Sequence, residues 1–435
     1  MRGVKERIAV GRKQRSHLSR MSHAELHGNE RKFDPIELLL NAGKDRLPQL
    51  LPLKYARMSQ SPFAFFRGAV SIMAADFGRL PHSNLHVQLC GDAHVQNLGS
   101  FAAPDGKLIF DINDFDETIR GPWEWDVKRM ATSIILAGRE AGQKRTVRRL
   151  AVETFVESYT RSMAEFATEP ILEMVRHLIH REERVGPIHA ALRQSERSTP
   201  LVSLAKYTEG KGSHRRFRNL RPGLWRVTGA EARNVLASLS AYRKRLSPER
   251  KSLFDLFRPL DVGFKVVGTG SIGMRDYIVL FEGNGPDDPL FLQVKQENQS
   301  AYVPYLKDHY RHQGQRVADG QHAIQPVSDI FLGWTAFGSH DYLVRQLNDH
   351  KGSIDLQTLS GGGLKSLAFI AGEILARGHA RSGDACVIHG YAGGGPKIVR
   401  AISEFAAQYA DQTEADYGRF IAAIKRGRIR VARVA

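Results

Sequence analysis

Residues 90–97 read CGDAHVQN, and the predicted fold depends on this polar loop more than on any other segment. The loop follows LHVQL at residues 85–89, whose alternation of apolar and polar positions is typical of a strand. A second strand-like run, LIFDI, occupies residues 108–112 and leads into the acidic run NDFDE at residues 113–117. The pattern therefore predicts two short strands, with a polar loop after the first and carboxylates at the end of the second.

These two loops contain the groups that phosphoryl transfer requires. The reaction needs a carboxylate near the attacking hydroxyl and oxygen ligands that hold Mg²⁺ on the phosphates. Asp92 and Asn97 are five positions apart, as are the catalytic base and the Mg²⁺-binding Asn of the kinase catalytic loop. Asp114 lies 17 positions beyond Asn97, where a second metal-binding Asp is expected. We predict Asp92 as the catalytic base and Asn97 and Asp114 as Mg²⁺ ligands.

Two other interpretations of this region stay open. An Asx-rich turn between strands has the same GDxxxxN pattern without any catalytic role. His94 could instead bind a metal with Asp92 and Asp111, although a single loop His beside carboxylates is more often a hydrogen-bonded structural residue. Four carboxylates within residues 111–117 repel one another unless positive charge offsets them, so we expect a cation nearby.

Residues 268–273 read GTGSIG and form a second motif. In a dinucleotide-binding fold a helix would follow the last glycine, but the strand-like run YIVLF follows here at residues 277–281. A glycine-rich hairpin over phosphates fits better, with Lys295 on the third strand, 22 positions past the last glycine. A glycine hairpin with a surface lysine is the alternative. The predicted nucleotide-binding residues are Gly268, Gly270, Gly273 and Lys295.

Such a lysine needs an acid from the next helix. The segment from Asn298 to Ile330 contains no Glu, and Asp319 is our choice among its three Asp residues. The shorter Asp side chain makes this pairing the weakest element of the predicted site.

Length and composition set the frame for these motifs. The chain has 435 residues, 42% of them hydrophobic, which predicts two or three domains or one large two-lobed unit and excludes a disordered chain. Two cysteines, Cys90 and Cys386, exclude a disulfide framework and a four-cysteine zinc site and favour a reducing compartment. No apolar run approaches the ~18 residues that span a membrane. We therefore expect a soluble cytoplasmic protein without a membrane span.

The net charge of +17 is concentrated at the periphery of the predicted site. Residues 1–34 predict a basic, loosely ordered arm, and residues 206–226 form the densest basic patch inside a charge-rich insertion at residues 180–250. A solvated basic surface is the simpler interpretation, and nucleic-acid binding is a possible but less favoured one.

Several long motifs together resemble one uncharacterised bacterial family, domain of unknown function 2252. The motifs are SPFAFFRGA, CGDAHVQNLGSF, FDINDFDET, GPWEWDVKR, VGTGSIGMRDY, LFLQVKQ, SDIFLGW, DYLVRQL and ARGHARSGD. A more distant resemblance links CGDAHVQN to the HGDxHxxN loop of aminoglycoside phosphotransferases and choline kinases, and INDFDET…PWEWDVKR to their IDWxxx…PxxDLAR segment. This resemblance implies the same roles for Asp92, Asn97 and Asp114, and makes Asp126 a buried acid that braces the loop. Cys90 replaces the usual His.

The order of the motifs departs from that of kinases, because the glycine loop and Lys295 follow the catalytic loop here. We therefore predict an α/β (α+β) fold of two kinase-like lobes, circularly permuted, with a helix-rich catalytic lobe and a small antiparallel-sheet nucleotide lobe. Residues 35–250 begin the catalytic lobe, residues 258–350 form the nucleotide lobe, and residues 360–435 complete the catalytic lobe. In this scheme Gln346 lies in a hinge that contacts adenine.

The predicted function is an ATP- and Mg²⁺-dependent phosphotransferase that acts on a hydroxyl of an unknown small molecule or protein. Cys90 and the absent helix glutamate favour one alternative, a catalytically inactive nucleotide-binding regulator. A basic nucleic-acid-binding protein is a second alternative. A metal-dependent phosphoester hydrolase is a third, but it would leave the glycine loop and Lys295 without a role.

Overall fold

The computed structural model describes residues 2–26, 31–178, 186–347 and 350–432. Parts of the predicted domains lie outside the described residues. They are residues 1, 27–30, 179–185, 348–349 and 433–435. The fold is mixed α/β, and its strands pair antiparallel throughout the described residues. Among these residues, no helix is both long and apolar enough to cross a membrane.

The first part of the chain is mainly helical. Its elements are α1 (Val4–Gln14), α2 (Pro35–Asn41), α3 (Leu51–Met58), α4 (Pro62–Gly68), α5 (Val70–Phe77), β1 (His86–Leu89), β2 (Leu98–Ala102), β3 (Leu108–Ile112), β4 (Ile119–Pro122), α6 (Trp123–Glu140), α7 (Arg145–Phe166) and α8 (Ile171–Arg176). Asp34 and Ser61 cap α2 and α4 by accepting backbone N–H groups two or three residues later. Pro35 and Pro62 follow these caps, where a helix leaves its N–H groups unbonded and a proline is therefore tolerated.

The middle of the chain builds a sheet. Its elements are α9 (Gly186–Arg197), α10 (Pro200–Tyr207), β5 (Thr208–Glu209), β6 (Arg216–Phe217), β7 (Leu224–Val227), α11 (Gly229–Arg245), α12 (Pro248–Phe254), β8 (Arg258–Lys265), β9 (Asp276–Glu282), β10 (Pro289–Glu297), α13 (Gln313–Ile324), β11 (Gly333–Phe337) and β12 (His340–Gln346). Six of the described strands form one sheet in the order β11-β12-β10-β9-β8-β7. The sheet thus begins with β7, earlier than the boundary at residue 258 that the sequence predicts.

The two faces of this sheet differ in character because successive side chains of a strand point to opposite faces. Leu292 and Val294 of β10 belong to one apolar cluster with Val235 and Tyr242 of α11, which covers that face. Gln293, Lys295 and Glu297 alternate with them, so the opposite face of β10 is polar from Gln293 onward, whereas Phe291 on that face belongs to another apolar cluster. That polar face meets the loops around residues 90–97 and 113–117.

The end of the chain returns to the first part. Its elements are β13 (Gly352–Ser353), α14 (Gly363–Ser382), α15 (Ala385–Ala392) and α16 (Pro396–Lys425). Leu367 of α14 and Ile402 of α16 belong to the same apolar cluster as Val127 of α6 and Phe155 of α7. A Cβ at Gly372 of α14 would lie 2.4 Å from the carbonyl oxygen of Phe155, so glycine permits the close approach of α14 to α7.

The structure of the N-terminal segment differs from the loosely ordered arm that the sequence predicts. Residues 4–14 form α1, packed on α15. A Cβ at Gly11 would lie 2.0 Å from the carbonyl oxygen of Val387, so the two helices touch through backbone. Arg15 donates to the carbonyl oxygens of Gly390 (2.6 Å) and Tyr391 (2.9 Å), which the end of α15 leaves without helical partners. Arg15 therefore binds a helix terminus, whereas Arg2, Lys5, Arg12 and Lys13 are exposed.

Candidate active site

A cavity of about 70 Å³ lies where the polar face of the sheet meets the acidic loops. It is lined by Arg46, Arg67, Gly68, Val70, Asp92, Asp114, Asp116, Glu117, Gly270, Ser271, Met274, Glu297, Asn298 and Gln299. Predicted residues from both motifs, Asp92, Asp114 and Gly270, thus share one cavity. We call it the acidic cavity.

Asp126 positions the loop at residues 90–97. Its carboxylate, at the buried start of α6, accepts the N–H groups of Cys90 (2.7 Å) and Gly91 (3.0 Å). The expectation that Asp126 braces this loop is confirmed. Gly91 has φ +83°, and a Cβ there would lie 2.1 Å from the carbonyl oxygen of Glu117, so only glycine fits this turn.

Asp92 lines the acidic cavity, and its two carboxylate oxygens have different neighbours. Arg129 donates Nε (2.8 Å) and Nη2 to Oδ1 of Asp92, while Oδ2 lies 3.7 Å from Nε2 of His94. Burial raises the pKa of Asp92, and the positive charges of Arg129 and then Arg67 oppose this shift. Sequence reasoning missed Arg129, although it stands in the quoted motif GPWEWDVKR three positions after Asp126.

Asn97 is held in a fixed orientation. Its Nδ2 donates to the carbonyl oxygen of Asp92 (2.7 Å), which leaves Oδ1 as the outward group of the carboxamide. The carbonyl oxygen of Asn97 accepts the N–H of Asn113 (2.8 Å), so this residue also ties the loop to the end of β3.

Lys295 joins the sheet to the acidic run. Its buried ammonium forms an ion pair with both carboxylate oxygens of Asp116, and Glu297 lies at 3.9 Å. Burial raises the pKa of Asp114 to about 6, and the negative charge of Asp116 adds to this shift. For Asp116 the attraction of Lys295 outweighs burial and lowers the pKa. Lys295 therefore neutralises Asp116, whereas no cation of the described residues forms an ion pair with Asp114 within 4 Å.

The prediction that Asp319 pairs with Lys295 is wrong. Asp319 is exposed on α13, where Gln315 donates a hydrogen bond to it. The residue of α13 that contacts the site is Arg316, which is fully buried. It donates to the carbonyl oxygens of Thr118 (2.6 Å), Asp116 (2.8 Å) and Asn298 (2.8 Å). Helix α13 thus contributes Arg316, a cation that holds residues 113–118, where the sequence predicts an acid that pairs with Lys295.

The loop between β8 and β9, residues 266–275, lies over the acidic cavity. Ser271 Oγ donates to Asp116 (3.1 Å), and Gly268 and Gly273 have φ of +63° and +92°. Basic side chains from the first helical segment bind carbonyl oxygens of this loop. The pairs are Arg46 with Ile272 (2.7 Å), Lys54 with Gly270 (3.3 Å) and Arg57 with Gly268 (3.5 Å). Burial lowers the pKa of Lys54 well below its usual value, and no carboxylate of the described residues lies within 4 Å of it.

A family model described as "Uncharacterized protein conserved in bacteria (DUF2252)" matches residues 46–423. The chain belongs to this family. The match spans every residue that lines the acidic cavity, from Arg46 to Gln299. No curated protein and no solved structure matches the chain. The geometry of this DUF2252 protein is therefore the basis for assigning its function.

A second cavity of about 100 Å³ adjoins the site in this DUF2252 protein. Its lining includes Asn113, Gln293, Arg345, Gln346 and Lys351. Gln346 is where the sequence predicts an adenine-contacting hinge, and its N–H donates to Asp329 (2.5 Å). We call this space the hinge cavity.

A metal site built on His94 does not form in this DUF2252 protein. Asp111 is fully buried and paired with Arg377 (2.5 Å), so it is not available to His94. Burial lowers the pKa of His94 well below its usual value, and its ring packs edge-on against Phe63. Over the described part of the chain, no group of three or more His, Cys, Asp or Glu side chains is arranged to hold a metal. The interpretation of His94, Asp92 and Asp111 as metal ligands is therefore wrong.

Proposed function

We propose that this protein is an ATP- and Mg²⁺-dependent phosphotransferase that acts on a hydroxyl group of a small molecule or protein. One observation carries the proposal. The ion pair of Lys295 with Asp116 brings the third strand of the glycine-loop sheet into the cavity that also holds Asp92 and Asp114. Two motifs that are far apart in the chain thus form one cleft, as phosphoryl transfer requires.

The order of elements supports a kinase-like nucleotide lobe. The glycine loop joins β8 to β9, Lys295 lies on the next strand, and α13 separates that strand from β11 and β12. Kinases place a glycine-rich loop over the phosphates and the lysine on the third strand in the same way. The likeness to kinases is an analogy in the order of these elements.

The proposed fold is circularly permuted. The loop at residues 90–97 precedes the glycine loop, and helices α14 and α16 share an apolar cluster with α6 and α7. In this proposal residues 35–250 and 360–435 form the catalytic lobe and residues 258–350 form the nucleotide lobe. The early start of the sheet at β7 would move the first lobe boundary toward residue 224.

Magnesium fits the donor groups of Asn97 and Asp114. The carboxamide of Asn97 keeps Oδ1 as an acceptor because its nitrogen is bonded to the backbone, and Asp114 is a carboxylate whose pKa burial raises to about 6. Mg²⁺ is commonly held by one or two protein ligands together with phosphates and water, so a larger set of acids is not needed. When bound, the ion would offset charge on the transferred phosphoryl group.

Asp92 is suited to accept the proton of the attacking hydroxyl. Arg129 occupies only Oδ1, so Oδ2 is available toward the cavity. The same ion pair fixes the direction of that oxygen. In this proposal Lys295 orients the phosphates, the loop with Gly268, Gly270 and Gly273 covers them, and the base of ATP enters the hinge cavity near Gln346.

The experiment compares Mg²⁺-dependent ADP release with binding of a non-hydrolysable ATP analogue, both on the full chain. Asp92→Asn should reduce turnover by roughly 10²–10⁴-fold, the usual contribution of a general base, and leave analogue binding unchanged. Asp105→Asn is the matched control, because Asp105 is an exposed acid paired only with Lys107. Absence of analogue binding at millimolar concentration, or turnover that survives Asp92→Asn, would overturn the proposal.

An inactive nucleotide-binding regulator is the second candidate. The observation that favours it is the ion pair of Asp92 with a fully buried Arg129, which opposes the rise in the pKa of Asp92 that burial causes. It predicts analogue binding without turnover, and with no change on Asp92→Asn. The nucleic-acid alternative draws less support, since Arg226 of the basic patch pairs with Asp261 and Arg221 lies over the ring of Trp225.

A further inference from the structure

A cavity of about 350 Å³ lies between α6, α7 and α16, and it shares no residue with the acidic cavity. Five arginines line it: Arg139 from α6, Arg145, Arg148 and Arg149 from α7, and Arg400 from α16. Ile135, Ser403, Glu404, Ala407 and Asp411 complete the lining. Such a concentration of guanidinium groups around one concave space is unusual for a purely structural surface.

Three of these arginines have carboxylate partners. Arg139 pairs with Asp411 (2.5 Å) and Glu414 (2.9 Å), Arg400 pairs with Glu404 (2.7 Å), and Arg149 pairs with Glu153 (2.8 Å). By contrast, Arg145 and Arg148 have no carboxylate of the described residues within 4 Å. They are three positions apart on α7 and therefore lie on one face of the helix. Arg145 and Arg148 therefore supply the positive charge of the cavity that is not paired with a carboxylate of the described residues.

The start of α7 adds to this charge. The helix begins at Arg145 after Lys144, which provides no side-chain cap, and its first turn contains no acid. The N-terminus of a helix carries partial positive charge, so basic side chains there oppose helix formation unless an anion is bound. Burial and the nearby charges of Arg139 and Arg145 lower the pKa of Arg148, and the carboxylates of Glu414 and Asp411 oppose this shift only in part.

We propose that this cavity binds a small polyanion that carries two or three phosphate groups. Its volume is near the lower limit of about 300 Å³ that is usual for small-molecule sites. Guanidinium groups bind phosphate oxygens through paired hydrogen bonds, and the partial positive charge at the start of α7 adds to the attraction for an anion. Because the unpaired arginines are confined to one helical turn, a compact ligand fits better than a long nucleic acid.

The arginine-lined cavity and the candidate active site are both contacted by residues of the same helix, α6. Arg139 lies ten residues after Arg129, which holds Asp92, on the same helix α6. At 1.5 Å per residue the two positions are about 15 Å apart. A polyanion in this cavity would therefore bind as a separate effector rather than as the substrate of the acidic cavity. The proposal does not rest on the proposed phosphotransferase activity.

Inorganic tripolyphosphate is the probe, and its binding to the full chain is measured by calorimetry at low and moderate salt. The double variant Arg145→Ala/Arg148→Ala should weaken binding at least about tenfold, because two charge-assisted contacts are lost. The matched control is Arg233→Ala/Lys244→Ala, which removes the same charge from exposed positions of α11. It should leave the affinity nearly unchanged, and the circular dichroism of both variants should equal that of the wild-type chain.

A second variant separates this cavity from the nucleotide site. Lys295→Ala should leave tripolyphosphate binding intact if the ligand occupies the arginine-lined cavity. The proposal is overturned if the wild-type chain does not bind tripolyphosphate at low salt. It is also overturned if binding is lost in Lys295→Ala but kept in the α7 double variant. Binding of single-stranded RNA that depends on Arg145 and Arg148, without tripolyphosphate binding, would likewise refute the small ligand.

Discussion

The ammonium of Lys295 on β10 pairs with the carboxylate of Asp116, which lies 179 residues earlier in the chain. This pair connects the polar face of the sheet to the acidic loop. The side chain of Lys295 is 3% exposed and that of Asp116 is 25% exposed, so the loss of either charge leaves the other poorly solvated.

Lys295→Met should therefore destabilise the protein through Asp116. Breaking a buried ion pair costs ~3–5 kcal/mol, and partial exposure of Asp116 reduces the expected loss to about 2–3 kcal/mol. Urea unfolding monitored by circular dichroism measures the change. The double variant Lys295→Met/Asp116→Leu should recover part of the loss, because it also removes the carboxylate of Asp116 that the single variant leaves without its lysine partner. A double variant that is less stable than Lys295→Met would contradict this account.

Asp114 should make the protein less stable as the pH rises. Its pKa is raised to about 6 from an ordinary value of 3.8, so between these values the folded state retains a proton that the unfolded state has lost. Stability is then greatest below pH 4 as far as this group is concerned, and it falls as pH rises to 6.

Asp114→Asn removes this dependence. The variant should equal the wild-type chain near pH 4 and exceed its unfolding free energy by about 1–3 kcal/mol at pH 7.5, since one pKa unit is worth ~1.4 kcal/mol. Because burial raises the pKa of Asp276 to about 6 as well, Asp276→Asn is the parallel control, and only Asp114→Asn should remove stabilisation by added Mg²⁺. Equal unfolding free energies of Asp114→Asn and wild type at pH 7.5 would argue against the assigned cause.

Asp126→Ala should disrupt the loop at residues 90–97. The N–H groups of Cys90 and Gly91 would lose their acceptor in a buried setting, at ~1–3 kcal/mol for each unsatisfied group. We expect a total loss of about 2–4 kcal/mol in urea unfolding on this basis. Asp126→Asn, which keeps one acceptor oxygen, should lose roughly half as much. Equal losses in the two variants would show that the negative charge, rather than hydrogen bonding, holds the loop.

The sequence allowed local features to be predicted well. The antiparallel strands around the glycine loop and the bracing role of Asp126 depend on residues close in sequence or in a recognised motif, and both are present. The membership in the bacterial family was likewise predicted from long motifs and is shown by the family match.

Contacts between distant segments were not predictable in the same way. The choice between Asp116 and Asp319 as partner of Lys295 depends on how α13 packs, and that packing has no local pattern in the sequence. The same holds for Lys54, whose ammonium binds the carbonyl oxygen of Gly270, 216 residues away. The arm was mispredicted because charge suggested exposure, whereas Gly11 allows α1 to pack on α15.

Arg316 should be essential for the shape of the acidic loop. Its guanidinium binds three backbone carbonyl oxygens, two of them in the segment that follows Asp114. Arg316→Ala should lower the free energy of unfolding by about 3–5 kcal/mol, measured in urea, because a buried charged member of a polar network is removed.

Arg311→Ala, at an exposed position just before α13, is the matched control and should change stability by less than ~0.5 kcal/mol. Arg316→Lys restores charge but not the fork of N–H donors, so it should remain well below wild type. Recovery of full stability in Arg316→Lys would mean that charge alone, rather than three directed hydrogen bonds, orders the loop.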